Sequence, residues 1–309
     1  MAKLQSTEIV GVANRPATIC VDTVCLWFDT TNLKPMASYC SRSGAGVWSV
    51  GAALLTVRYS AGIGTQNEAL VFANNSTNEY NGTSWAAGGL LITGRACLGG
   101  AGTQNVGLGF GGIAGVAVSC TEEYNGTSWS AGGALITTRR CPGGAGTQNA
   151  GLAFGGYGSI SCTEEYNGTS WSAGGALITG RRALAGAGTQ NAGLAGGGFP
   201  NPNVSCTEEY NGTSWSAGGA MITARRDLPG AGTQNEGLAF GGKTDVVVSC
   251  TELYNGTSWS AGAALITART ELAGAGTQNL GLAVGGHINS CSSCTEEYTP
   301  ALVLVDCFL

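Results

Sequence analysis

Tyr124-Asn-Gly-Thr-Ser-Trp129 sets Asn-Gly between two aromatic residues. Both central residues of a type I′ turn need positive φ, and Asn-Gly supplies it most readily. The segment therefore predicts a hairpin, with one strand ending at Tyr124 and the next opening at Trp129. It returns as Tyr80–Trp85, Tyr166–Trp171, Tyr210–Trp215 and Tyr254–Trp259. A supersecondary unit repeated at this interval cannot bury its hydrophobic face alone, so it stacks on its neighbours.

The unit from Cys141 to Gly180 shows the pattern around each hairpin. Strand a lies near Gly143–Gly146, and Thr147-Gln-Asn149 turns into strand b, Gly151–Phe154, which ends at Gly155-Gly156. A variable loop leads to strand c, Ser161–Tyr166, and strand d opens at Trp171. Small residues dominate a and b, as crowded inner strands require. Seven a–b hairpins are counted, near 17–29, 60–73, 98–112, 142–156, 184–198, 228–242 and 272–286. Seven c strands run from Met36–Cys40 to Thr295–Tyr298. The expected fold is all-β: a seven-bladed β-propeller of four-stranded antiparallel blades over residues 16–309, behind a lead-in at 1–15. Ala301–Val305 is expected as the last d strand, with Thr7–Ala13 clipping on beside it to close the ring.

Composition narrows the function classes. Glycine contributes 53 residues and charged residues only 11 %, but the 43 % hydrophobic fraction and strict period favour packed β-structure over low complexity. The net charge is −5 without any like-charge block, so no nucleic-acid footprint is present. No run of 18 apolar residues suggests membrane insertion. Met1–Glu8 lacks the apolar core of a signal peptide. Of the 12 cysteines, Cys120, Cys162, Cys206, Cys250 and Cys294 share one repeat position, and Cys97 and Cys141 share another. Equivalent positions in successive repeats are read as too far apart to bridge. Buried free thiols are expected, with Cys20 and Cys25 facing each other across a hairpin as the one disulfide alternative.

Gly-Gly after strand b, the tyrosine of strand c, Trp opening strand d and an arginine ten residues later together resemble the kelch repeat. The pairs are Trp48/Arg58, Trp85/Arg95, Trp129/Arg139, Trp171/Arg181, Trp215/Arg225 and Trp259/Arg269. Ala73-Asn74 departs from Gly-Gly, and the first blade is eroded. Leu26-Trp-Phe-Asp-Thr-Thr-Asn-Leu-Lys34, followed by Tyr39 and Trp48, is similar to hairpin modules of tailed-phage fibre proteins. The Tyr-Asn-Gly-Thr-Ser-Trp repeats resemble kelch-like repeats in structural proteins of aquatic phages. These resemblances imply a virion component, assembled in the host cytoplasm among other virion proteins. They imply a fibre, baseplate or capsid-attached position and an adhesive role toward a host glycan or receptor. An intracellular kelch-type interaction scaffold is the alternative.

The recurring charges are Arg95, Arg139, Arg181, Arg225 and Arg269 with Glu122, Glu164, Glu208, Glu252 and Glu296. They read either as an anion-binding ring or as ion pairs stitching the blades. The second reading is preferred because both sets recur together. The Gly-Thr-Gln-Asn segments read as turn chemistry before a glycan-binding ring. His287, Cys291 and Cys294 offer three ligands where structural zinc wants four, so no metal or cofactor is expected. Neither a Gly-x-Ser-x-Gly elbow nor a unique carboxylate pair points to an enzyme. Length varies almost only between strands b and c, and those loops are the expected binding surface on a rigid scaffold. Tyr157, Phe199, Asn201, Lys243, Asp245 and His287 are the candidate ligand-binding residues.

Overall fold

The computed structural model describes residues 19–21, 24–29, 34–41, 46–55, 61–288, 292–300 and 303–307. They divide into two units, Val47–Thr299 and the pair Met1–Gly46 with Pro300–Leu309. In the second unit Ile19–Val21, Val24–Asp29, Lys34–Ser41 and Val303–Cys307 form one antiparallel sheet in that order. Cys20 stands opposite Cys25 in its backbone register.

Val47–Thr299 is a β-propeller of six four-stranded antiparallel blades. Blade 1 runs Ala61–Gly64, Ala69–Ala73, Ser76–Tyr80 and Trp85–Ala87. Blade 2 has Gly99–Gly102, Gly107–Phe110, Thr121–Tyr124 and Trp129–Ala131. Blades 3 and 4 begin at Gly143–Thr147 and Ala185–Thr189 and end at Trp171–Gly174 and Trp215–Gly218. Blade 5 spans Gly230–Gly232 to Trp259–Ala261. Blade 6 takes Ala273–Gly276, Gly281–Val284 and Thr295–Thr299, and its outer strand is Val47–Val50. Strand a of blade 6 also lies against strand a of blade 1, which closes the ring.

The expectation of seven blades is therefore corrected to six. Trp48 stands opposite Tyr298 as Trp129 stands opposite Tyr124, so Val47–Val50 completes the last blade and no first one. Ile19–Val21, Val24–Asp29 and Lys34–Ser41 belong to the other sheet, and Val303–Cys307 pairs there with Lys34–Ser41, not beside Thr295–Thr299. Thr7–Ala13 lies outside the described residues.

Steric room explains the glycines of the inner strands. A Cβ on Gly186 would lie 2.4 Å from the Gly144 carbonyl oxygen, and one on Gly144 2.5 Å from that of Gly100. Inner strands at this spacing take glycine where they face each other. At the end of strand b, Gly111 and Gly112 have φ of 63° and 106°, and Asn74 replaces the second glycine in blade 1 at 52°. Asparagine tolerates that left-handed conformation better than most residues.

Blades adhere through a set of contacts repeated around the ring. Each propeller Trp donates its Nε1–H to the strand-c threonine of the preceding blade: Trp129 to Thr77 at 2.9 Å, Trp48 of blade 6 to Thr251 of blade 5 at 3.0 Å, and across the closure Trp85 to Thr295 at 3.0 Å. The indole also packs on the preceding blade's phenylalanine, with Trp171 and Phe110 centroids 5.1 Å apart. Tyr124, Tyr166, Tyr210 and Tyr254 donate their hydroxyls to Glu79, Glu123, Glu165 and Glu209 at 2.5–2.6 Å, and Tyr80 reaches Glu297 across the closure. Leu253 replaces this glutamate opposite Tyr298 and joins the apolar cluster there.

Candidate functional site

The repeated arginines are taken up by the scaffold. Arg95, Arg139, Arg181, Arg225 and Arg269 are at most 1 % exposed. They pair with Glu122, Glu164, Glu208, Glu252 and Glu296, the last at 2.8 Å from Arg269. Each arginine follows strand d of one blade, and its glutamate lies in strand c of the next. The same carboxylates accept two backbone N–H groups from the connection, as Ile178 and Thr179 donate to Glu208 at 2.6 and 3.1 Å. Such saturated, buried carboxylates leave nothing for a ligand. In blade 1 Asn78 takes the glutamate's position, and Arg58 lies outside the described residues.

The glutamines of the Gly-Thr-Gln-Asn turns are engaged as well. Gln148 Nε2 donates to the carbonyls of Gly107 and Tyr124 in the preceding blade, at 2.9 and 2.8 Å. Gln66 does the same to Gly281 and Tyr298 across the ring closure. Trp85, Trp129, Trp171, Trp215 and Trp259 are buried between blades.

The opposite face differs from blade to blade. Antiparallel pairing brings the b–c loops to the same end as the d-to-a connections, and backbone bonds tie the two together. Tyr157 N–H donates to the Arg140 carbonyl at 2.9 Å. Phe199, Lys243 and His287 pair likewise with Arg182, Arg226 and Thr270. One residue further along the connections stand Cys97, Cys141, Ala183, Asp227 and Glu271, all left-handed with φ of 52–58°. From Cys141 onward, each N–H reaches the preceding carbonyl in that series at 2.7–3.0 Å. With the glycines of the inner strands they line an axial cavity of about 150 Å³.

Cys97, Cys120, Cys141, Cys162, Cys206, Cys250 and Cys294 are free as expected, and one expectation about their burial is corrected. Cys97 and Cys141 occupy equivalent positions yet share a thiol–thiol hydrogen bond, which lowers Cys97 and raises Cys141 from the ordinary thiol value. At the axis, equivalent positions converge. Cys120, Cys206 and Cys250 are free but half-buried, and Cys162 is exposed, so the repeat thiols do not form the buried set expected. Their position at the start of strand c lies at the open end of the blade.

Two of the candidates, Tyr157 and Phe199, and three unforeseen arginines form one array. The Arg140 guanidinium lies over the Tyr157 ring at 3.6 Å from its centroid, and Arg182 lies over the same ring at 4.6 Å. Arg182 and Arg226 both lie over Phe199 at 4.7 Å. Arg226 Nη1 donates to Asn203 Oδ1 at 2.9 Å, and its Nε sits 3.2 Å from Asp227 Oδ2. Burial pushes the Asp227 carboxyl up, against the pull of Arg226 and Arg182. Lys243 flanks this end through its backbone pairing with Arg226. Asn201 and Asp245 line a groove beside Phe199 and Arg226. His287 stays apart on the blade 6 loop, paired to Thr270. Cys291 lies outside the described residues, and among those described no three His, Cys, Asp or Glu groups are placed to hold a metal.

Sequence reasoning missed Arg140, Arg182 and Arg226. Their signal was doubling: Arg139-Arg140, Arg181-Arg182 and Arg225-Arg226 carry a second arginine where other connections have Ala96 and Thr270. The fold and this face define a closed six-bladed β-propeller with one variable loop surface. No protein-family model matches the chain, and no curated protein matches it.

Proposed function

We propose that this chain is a non-enzymatic structural protein of a tailed-phage virion, whose b–c face recognises a host-surface ligand. The virion assignment rests on the resemblance of the Tyr-Asn-Gly-Thr-Ser-Trp repeats and of Leu26–Lys34 to phage structural proteins. The recognition role rests on one observation: side chains that differ between blades converge on one face, in the Arg140–Tyr157–Arg182–Phe199–Arg226 array. Loops on a rigid scaffold are where binding is usually carried. The repeating turns, by contrast, spend their glutamines on interblade bonds. A second, uniform feature suits docking to other virion proteins. Leu55, Ile92, Ile136, Ile178, Ile222 and Ile266 occupy one position on successive connections, and each is more than half exposed.

The test replaces residues 157–159, 199–203 and 243–245 with Gly/Ser in the full chain. Particle attachment to cells and incorporation of the protein into particles are then measured separately. Attachment is expected to fall while incorporation holds. Failed incorporation with normal attachment would mean that the faces are reversed, and no change in either would remove the proposal.

A further inference from the structure

We infer that the b–c face takes a polyanion, an acidic polysaccharide whose carboxylate or sulfate groups lie along Arg140, Arg182 and Arg226. The inference rests on the reading above that this face binds the ligand. Three successive connections each contribute a guanidinium, and an aromatic ring stands between neighbours in the series. Stacking on a ring fixes the plane of a guanidinium without using its N–H groups. Among the described residues Arg226 is engaged by Asn203 and Asp227, whereas no described acceptor takes a side-chain hydrogen bond from Arg140 or Arg182. Two half-buried, oriented forks are thus left with free edges, the geometry that carboxylate and sulfate oxygens accept in pairs. The groove beside them, of about 360 Å³, is walled also by Ala96, Cys97, Ile113 and Cys141, an apolar lining that suits the ring carbons of the polymer while its anionic groups meet the outward guanidinium edges.

The same geometry argues against two other ligands. Each ring already carries two guanidinium groups, so neither Tyr157 nor Phe199 is an open platform for a nucleobase or a neutral sugar ring. The basic strip is also confined to three connections of a chain whose net charge is −5. A duplex or long single strand would meet repulsion beyond that strip.

The experiment measures binding of full-length protein to four immobilised probes: a polyuronate, a sulfated dextran, neutral dextran and a single-stranded oligonucleotide, each across a salt series. The expected result is salt-sensitive binding to the polyuronate, the sulfated dextran or both, and none to neutral dextran; which acidic polymer binds tighter identifies the anion. The double variant Arg140→Gln/Arg182→Gln is expected to weaken that binding by roughly tenfold or more, with a shallower salt slope. Thr127→Glu/Thr169→Glu changes net charge equally on the opposite face and is expected to leave binding within about twofold. Should the arginine variant fail to fold, Tyr157→Leu keeps every charge, removes the stacking surface and is expected to weaken binding alone. Equal binding by the folded arginine variant, no binding to either acidic polymer, or tighter binding to the oligonucleotide would overturn the inference. If cell attachment still depends on the loops while the acidic polymers are ignored, the binding face stands and only this ligand class falls.

Discussion

Glu208 and its four counterparts hold the connections between blades. Its carboxylate is buried and receives Arg181 together with the N–H groups of Ile178 and Thr179. Removing it leaves a guanidinium and two backbone donors without their acceptor in a dry interface. Breaking a buried pair in this way costs about 3–5 kcal/mol. Glu208→Ala is therefore expected to lower the unfolding free energy by that amount, measured by denaturant titration. The adjacent residue Arg182 has a different role, and the sequence shows why only one of the two was read. Recurrence with period marks Arg181 as scaffold. Arg182 breaks the period, but its partners Tyr157 and Phe199 arrive from loops of two different blades, and that contact has no trace in local spacing.

Strand a is where glycine is dictated by its neighbour, and strand b contains a place where it is not. An alanine at Gly186 would push its Cβ into the Gly144 carbonyl, a backbone atom that cannot swing aside. Overpacking of this kind typically costs about 1–3 kcal/mol. Gly196 stands where Phe110, Phe154 and Phe240 lie in other blades, and a Cβ there would meet Met221 Sδ and the Trp259 ring at an ordinary 3.4 Å. Gly196→Ala also restricts the unfolded chain, a gain of about 0.4–1 kcal/mol. The two glycine-to-alanine changes should move the melting temperature in opposite directions, and calorimetry on both variants checks the sign. The four strands of each regular blade were legible because alternation, Asn-Gly and Gly-Gly recur together. The partner of Val47–Val50 was not, because a strand's own residues do not say whether it pairs with the chain just before it or with strand c some 250 residues later (Val47 opposite Thr299).

At the scale of the whole ring, tyrosine couples stability to alkaline pH. Tyr80, Tyr124, Tyr166, Tyr210 and Tyr254 are raised to about 12, by burial first and then by hydrogen bonding to a glutamate. Unfolded tyrosines ionise near about 10. The folded value lies above the unfolded one, so this stabilisation is fully present below about pH 10 and is lost as pH rises through about 12. Five of the six interfaces weaken together. The melting temperature should hold to about pH 10 and fall steeply above it, with phenolate absorbance following the same loss. Blade number was the part of the architecture least legible in advance. Val24–Asp29 and Lys34–Ser41 do form strands, as their composition predicts, but their own residues do not say that the fourth strand of their sheet is Val303–Cys307.

Two register pairs carry a topological consequence. Val47 stands opposite Thr299 at the two ends of the propeller, and Ser41 stands opposite Val303 in neighbouring strands of the other sheet. The whole ring is thus spliced into what would otherwise be an ordinary hairpin, entering and leaving where two strands already lie side by side. Such an insert is a cassette. It asks of its carrier only a hairpin loop, and a carrier that gives it up needs only a short turn to heal.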